Sequence, residues 1–282
     1  MKEKVEMREE TLGILELLRP VAPADLIRVG RNYDGGYVFS SQSLANCSHF
    51  ISCGLSYDWS FEIELKERRP DMPIVAFDRT SGFNSTMLYW VLKNFGKIAL
   101  YPFRFLGVQD TPAQSLGKIS MMLRMKQIFS GNLTFVKKHI GLESNSQVQS
   151  FGDLLEKSSG YGVKLDVEGT EYELLDTIIG KLDKIELLLI EFHNVEENIE
   201  AIVPFLEATR ATHYVQHVHG NNYDSVNSFG FLNSIELTIA KKDSGYQPES
   251  AEVLTYPVKD LDFPNDRRKP DQGFDFTEQR KK

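Results

Sequence analysis

The sequence lacks most of the features that assign a class at a glance. Its 282 residues hold no apolar run approaching the roughly 18 needed to span a bilayer. Only two cysteines occur, Cys47 and Cys53, close together on one strand approach, which gives no disulfide framework. Positive charge is in deficit: 32 Lys and Arg face 40 Asp and Glu, a net charge of −8. A general nucleic-acid surface needs a basic stripe, so no nucleic-acid partner is expected. There is no G-x-G-x-x-G trio, no phosphate loop ending in Lys-Ser/Thr, no H-E-x-x-H and no C-x-x-C. The opening Met1-Lys2-Glu3-Lys4-Val5-Glu6 has no apolar signal core, so a cytoplasmic protein with reduced thiols is the expectation. Neither a repeat nor a linker is visible.

What is present is ordinary for one globular domain: 41% apolar and 26% charged residues. Residues 5–19 place Val5, Leu12, Ile14, Leu15, Leu17 and Leu18 among charges, an amphipathic helix ended by Pro20 and Pro23. Two short strands then flank Asp34-Gly35-Gly36, a hairpin. His49 to Cys53 reads as a strand running into a turn at Gly54, Trp59 to Arg69 as a helix, and Pro73 to Phe77 as a second strand closed by Asp78. Strand, glycine turn, helix, strand, acid is the order of a mononucleotide-binding unit, and the acid in such units receives ribose hydroxyls.

Beyond it, 84–95 reads as a helix and Lys97 to Val108 as a kinked third strand. Met121, Met122, Leu123, Met125 and Ile128 form an apolar helical stripe, read as core, with a substrate lid as the other reading. Ile185 to Asn194 is nearly continuous in apolar residues, as a central strand is. Glu191 and His193 share one of its faces. Residues 196–211 read as a helix, 214–223 as a strand with His217 and His219 on one face, and 234–241 as the closing strand. The charged, proline-bearing tail predicts disorder over its last ten or so residues.

The most informative stretch is Gly162 to Leu175. A β-branched strand ends in Asp166-Val167-Glu168, Gly169 breaks it, and Glu171 onward opens a helix. Acids at the carboxyl end of such a strand either cap the next helix or face a ligand. Lys164, Asp166, Glu168, Gly169, Glu171 and Leu175 resemble the K-x-D-x-E-G-x-E-x-x-x-L signature of the FkbM-type S-adenosylmethionine (SAM)-dependent methyltransferases. Ser52, Gly54, Asp58 and Ser60 resemble that family's glycine loop, with Ser52 where an acid often stands. Asp34-Gly35-Gly36-Tyr37 resembles a DGGY element of some members, in which Arg28, Asp34 and Gly35 would approach cofactor or acceptor. The segment at Pro264-Asn265 is similar to a C-terminal clamp.

The resemblance implies an α/β, Rossmann-like class I methyltransferase sheet, mostly parallel with an antiparallel last strand and helices on both faces. It implies SAM as cofactor and methyl transfer to a hydroxyl of a sugar, glycan or specialised metabolite. SAM carries no phosphate, so one glycine suffices where a dinucleotide asks for three. Residues 1–48 would then be a helix and hairpin cap, 49–245 the methyltransferase domain, and 246–282 a C-terminal extension. Cofactor contacts fall to Gly54, Asp58, Ser60, Asp78 and Asp166, and acceptor contacts to Asp34, Glu168, Asn221 and Asn222. Asp166 orients the reacting centre. A histidine suits the base that removes the hydroxyl proton, His193 first and His219 second. Alternatively Asp166, Glu191, His193 and His219 hold a divalent metal that acidifies the hydroxyl. Two rivals stay open: an NAD-dependent sugar-modifying enzyme, and a non-catalytic glycan- or protein-binding domain of the same fold.

Overall fold

The computed structural model describes residues 11–82, 85–106, 110–242, 256–274 and 276. The chain opens with helix α1 (residues 11–18), which buries Ile14, Leu17 and Leu18. The start of the expected helix, 5–10, lies outside the described residues. Strands β1 (Leu26–Gly30) and β2 (Gly36–Ser40) form the expected antiparallel hairpin. Gly36 is required at its turn, because a Cβ there would meet the Arg31 carbonyl at 2.2 Å. Ser40 caps helix α2 (Ser41–Asn46) by accepting from the Gln42 and Ser43 amides.

The core alternation follows: β3 (His49–Cys53), α3 (Ser60–Arg68), β4 (Ile74–Phe77), α4 (Ser85–Leu100), a 3₁₀ turn (Tyr101–Leu106), α5 (Pro112–Leu123), α6 (Met125–Ile128) and β5 (Leu133–Val136). A small pair, β6 (His139–Gly141) and β7 (Val148–Ser150), precedes α7 (Phe151–Leu155). Then come β8 (Tyr161–Leu165), α8 (Glu171–Ile179), β9 (Ile185–Phe192), α9 (Ile199–Thr209), β10 (His213–Gly220) and β11 (Ile235–Lys241).

Seven strands form one sheet in the order β10-β11-β9-β8-β3-β4-β5. The pairs β3–β4, β4–β5, β3–β8 and β8–β9 are parallel; β11 runs antiparallel to both β9 and β10. This is the mostly parallel sheet with a reversed last strand that the resemblance implies. Along β9, Leu187 and Leu189 pack into the layer holding Phe61 and Leu65 of α3. Leu188, Ile190 and Phe192 pack the other way, against Leu174 of α8 and Phe205 of α9. The period of two thus feeds both faces, and each such buried side chain is worth about 1.5–3 kcal/mol. The chain builds outward from β3 through β4 to β5, then returns to β8 on the opposite side. The crevice of such a sheet opens where that direction reverses, between the carboxyl ends of β3 and β8.

One predicted strand is absent among the described residues. Lys97 to Leu100 continues α4, and the 3₁₀ turn follows; residues 107–109 lie outside the described residues. Lys, Ala and Leu are strong helix formers, and no breaker intervenes before Pro102. The third strand is instead β5, parallel to β4. The methionine stripe divides: Met122 and Met125 are buried, while Leu123 is exposed. Both cysteines are free and buried. In the tail, Phe274 and Phe276 are buried; residues 277–282, where disorder is expected, lie outside the described residues.

Candidate active site

The strand ends at the switch point enclose a cavity of about 1100 Å³. Its floor is a close contact between two chain segments. Gly54, after β3, has φ +80°, and a Cβ there would lie 1.6 Å from the Asp166 carbonyl oxygen. The Asp166 amide in turn donates to the Cys53 carbonyl at 3.1 Å. No side chain fits at 54, so backbone lines the cavity there.

Around that floor the sheet gathers charge. Lys164 is buried; its Nζ donates to the Gly54 carbonyl at 2.5 Å and lies 3.4 Å from Asp166 Oδ2. The Tyr37 hydroxyl donates to the same Asp166 oxygen at 3.1 Å. Burial alone would lower the Lys164 pKa, but Asp166 and Glu62 outweigh it and leave it raised. Glu62 accepts the Ser52 hydroxyl at 2.6 Å through Oε1, while its Oε2 has no partner among the described residues. Its burial pushes that carboxyl up.

Asp78 closes β4 and lines the cavity. Its Oδ2 accepts the amides of Leu55 and Ser56, and its Oδ1 those of Thr80 and Ser81 plus the Thr80 hydroxyl. Burial would raise its pKa; these bonds outweigh it and hold it low. A carboxylate offers about four lone-pair sites, so Asp78 is already saturated. The Thr80 hydroxyl is the one donor that can rotate away without moving backbone.

At the end of β9 stands His193. The Glu171 carboxylate, at the start of α8, sits 3.2 Å from its Nδ1 and accepts its backbone N–H at 2.9 Å. A carboxylate can only accept, so Nδ1 carries a proton, and in the neutral ring the lone pair lies on Nε2. Nε2 faces Glu168 and Glu191, each at 3.7 Å. Burial opposes charge on this ring, but Glu171, Asp166 and Glu168 together leave its pKa raised. Glu191, buried and next to Asp166 and Glu236, has its carboxyl pushed well up; Asn221 donates to it at 2.8 Å. One ligand atom each from Asp166, Glu191 and His193 lies within 4.8 Å of the others. Ser56, Glu168 and Asn194, just past β3, β8 and β9, hold left-handed φ of 49°, 55° and 52°. Such strain gathers at functional sites.

Of the residues expected at the site, Asp34, Gly54, Asp58, Asp78, Asp166, Glu168, Glu191, His193 and Asn221 all line this cavity. Asp58 is paired with Arg31 of the hairpin loop at 2.6 Å, which fastens the DGGY element over the glycine turn. Four expected residues are placed away from the cavity. His219 is buried between Glu236 and Asp271, at 3.3 and 3.1 Å, and its pKa is raised to about 10. Burial opposes that charge, and the two carboxylates override it. Both ring nitrogens are engaged by these carboxylates, and His219 does not line the cavity. Asn222 is buried and holds the tail backbone at Asp266, Lys269 and Pro270, so it does not reach an acceptor. The Ser60 hydroxyl accepts the Arg31 amide and borders a shallower depression instead. Arg28 donates to the carbonyls of Arg31, Tyr33 and Leu261, pinning hairpin to tail.

Sequence reasoning gave no role to Glu171, Glu62, Tyr37 or Lys164. Glu171 and Lys164 stood inside the quoted signature, and a motif acid that opens a helix was the available signal. Tyr37 sat in the DGGY element. Nothing local marked Glu62.

No family model matches the sequence, and no curated protein matches it. Among solved structures it is similar to precorrin-6y C5,15-methyltransferase from Geobacter metallireducens GS-15, at 14% identity over 72% of this chain and 87% of that one, with a TM-score of 0.34. It is also similar to a putative methyltransferase from Thermoplasma acidophilum, at 10% identity over 71% and 70% of the two chains, TM-score 0.33. A third is the O-methyltransferase NcsB1 from neocarzinostatin biosynthesis, in complex with SAM and 2-hydroxy-5-methyl naphthoic acid, at 11% identity over 71% and 50%, TM-score 0.32. Likeness at that level carries nothing about substrate. The strand order stands by itself: a seven-stranded, mostly parallel, Rossmann-like sheet whose β11 runs antiparallel. Among the described residues, no helix is long and apolar enough to cross a membrane.

Proposed function

We propose that this chain is a SAM-dependent O-methyltransferase of the FkbM type, acting on a hydroxyl of a sugar, glycan or specialised metabolite. The observation that carries the reading is the Glu171–His193 pair, aimed into a switch-point cavity floored by Gly54 and Asp166. The cavity is large for a single small ligand and has room for donor and acceptor together. The fit to SAM rests on the side-chain-free floor at Gly54, on carboxylates about a position suited to a sulfonium, and on Asp78 at the ribose end.

Bound SAM would supply an electrophilic methyl group on sulfonium sulfur. The chain's own part is positioning and proton removal. Asp78 takes ribose hydroxyls in place of the Thr80 hydroxyl. Asp166, held by Lys164 and Tyr37, orients the reacting centre. The acceptor hydroxyl would give its proton to His193 Nε2 as its oxygen takes the methyl carbon and the carbon–sulfur bond breaks, its electron pair leaving with sulfur as a neutral thioether; Glu171 would stabilise the resulting imidazolium. Glu168, Asn221 and Asp34 border the acceptor side. On this reading residues 49–245 are the catalytic domain, 1–48 its cap and 246–282 an extension.

A second reading uses the same three side chains. Asp166, Glu191 and His193 make a mixed carboxylate–imidazole set suited to Mn²⁺, Fe²⁺ or Zn²⁺, with Glu171 orienting the histidine from behind. Such a cation would acidify the acceptor hydroxyl. The NAD-dependent alternative is disfavoured by the single glycine of the loop. His193→Gln tests the base: transfer of labelled methyl to a sugar panel should fall by roughly a hundredfold or more while SAM affinity holds. Unchanged transfer would remove His193 from the chemistry.

A further inference from the structure

Helix α4 is amphipathic the wrong way round for a surface helix. Leu88, Leu92 and Phe95, at spacings of four and three, form an outward stripe, 60%, 60% and 52% exposed. Its inward side instead carries Asn94 and Lys97, which line the cavity with Trp90 and with Lys93, whose Nζ lies 4.2 Å from the centroid of the Trp90 ring at the cavity's edge. The neighbouring α5 buries Ile119 and Met122 in the ordinary way but also leaves Leu116 and Leu123 exposed. Tyr89, Leu100 and Phe103 are exposed too. Eight large exposed apolar side chains within 36 residues are more than a soluble monomer usually leaves uncovered.

The charge of the segment is equally unlike the rest of the chain. Residues 85–128 hold six cations (Lys93, Lys97, Arg104, Lys118, Arg124, Lys126) and one anion, Asp110, a local net of +5 within a chain of net −8. Asp110 is buried and bonded to Lys97 and Lys118. The exposed charged side chains described on these helices, Lys93, Arg124 and Lys126, are therefore all cationic. Exposed aliphatic and aromatic residues rimmed by Lys and Arg are the composition that seats a helix in an anionic lipid interface. A second copy would also cover the apolar stripe, but a two-fold contact would set this cationic segment against itself, so its charge favours an anionic surface instead.

We infer that the α4–α5 hairpin docks on an anionic lipid surface, with Leu88, Leu92 and Phe95 entering the headgroup layer. Since the opposite side of the hairpin is a wall of the cavity, docking holds the cavity beside the bilayer. An acceptor carried by the lipid would then reach the site laterally. Docking itself does not depend on the methyl-transfer reading; only this last consequence does.

The test is co-sedimentation of the full chain with phosphatidylcholine vesicles, with and without phosphatidylglycerol, a readout that needs neither SAM nor activity. The expected result is binding to the anionic vesicles about tenfold stronger than to neutral ones, weakened by salt. L88S/L92S/F95S should abolish it, and R124E/K126E should weaken it; all five positions are exposed, and circular dichroism verifies the fold. No binding to either vesicle overturns the inference. So does a dimer in solution that the triple variant splits, which would place a second copy on the stripe.

Discussion

Glu171 holds His193 twice, through the ring at 3.2 Å and through the backbone N–H at 2.9 Å, and is itself fully buried. The pair joins the start of α8 to the end of β9 and leaves Nε2 turned to the cavity. Glu171→Gln keeps an acceptor oxygen and removes the charge. Methyl transfer should fall by roughly a hundredfold. The ring must be neutral to accept a proton, and Glu171 helps raise its pKa. The acidic limb of the pH–rate profile should therefore move to lower pH in the variant. A limb that stays in place would mean another group is titrating.

Gly54 offers a test of the floor. At φ +80°, with a Cβ 1.6 Å from the Asp166 carbonyl, alanine has no solution short of moving β3 from β8. Gly54→Ala should cost about 4 kcal/mol, read as a fall in Tm of roughly 10 °C. Gly117→Ala, in open space on α5, should leave Tm unchanged or raise it.

The saturation of Asp78 predicts a split between neighbours. Asp78→Asn exchanges acceptors for donors facing the Leu55 and Ser56 amides and should weaken SAM binding at least about tenfold. Thr80→Val removes only the hydroxyl that a ribose would displace, so affinity should be unchanged or better. Equal losses in both would place the ribose elsewhere.

Stability should depend on pH through the tail. His219 has a folded pKa of about 10, above the ordinary imidazole value of about 6.5. Its contribution is complete below about 6.5 and is lost as pH rises toward 10, a swing on the order of 5 kcal/mol. Glu236 works in the opposite sense. Burial would raise its carboxyl, but His219, Asn265 and Arg28 hold it low, so its contribution is lost in acid. Denaturant melts across the alkaline range should decline in the native chain and flatten in His219→Gln.

What could be read from the sequence was what is local. The nearly continuous apolar run of β9, the turn at Gly54 and the acids at Asp78 and Asp166 announce themselves within a few residues, and the turn and both acids lie where a parallel sheet puts its crevice. The role of His219 depends on Glu236 and Asp271, 17 and 52 positions away, and no local pattern encodes a partner at that distance. His193 was legible as a strand-end histidine; its orientation was not, because Glu171 is 22 residues earlier. The strand expected at Lys97–Val108 failed for another reason. A short apolar run has no period of its own, and the helix ahead of it simply continued.

The central claim is that the crevice between Gly54, Asp78 and Asp166 receives an adenosyl sulfonium. Calorimetric titration of the full chain with SAM and with NAD tests it most directly. The account predicts one-to-one SAM binding with a Kd in the micromolar range, about 8 kcal/mol, abolished in Asp166→Ala and with no heat from NAD. Absence of SAM binding to the folded chain, or tighter binding of NAD, would contradict it.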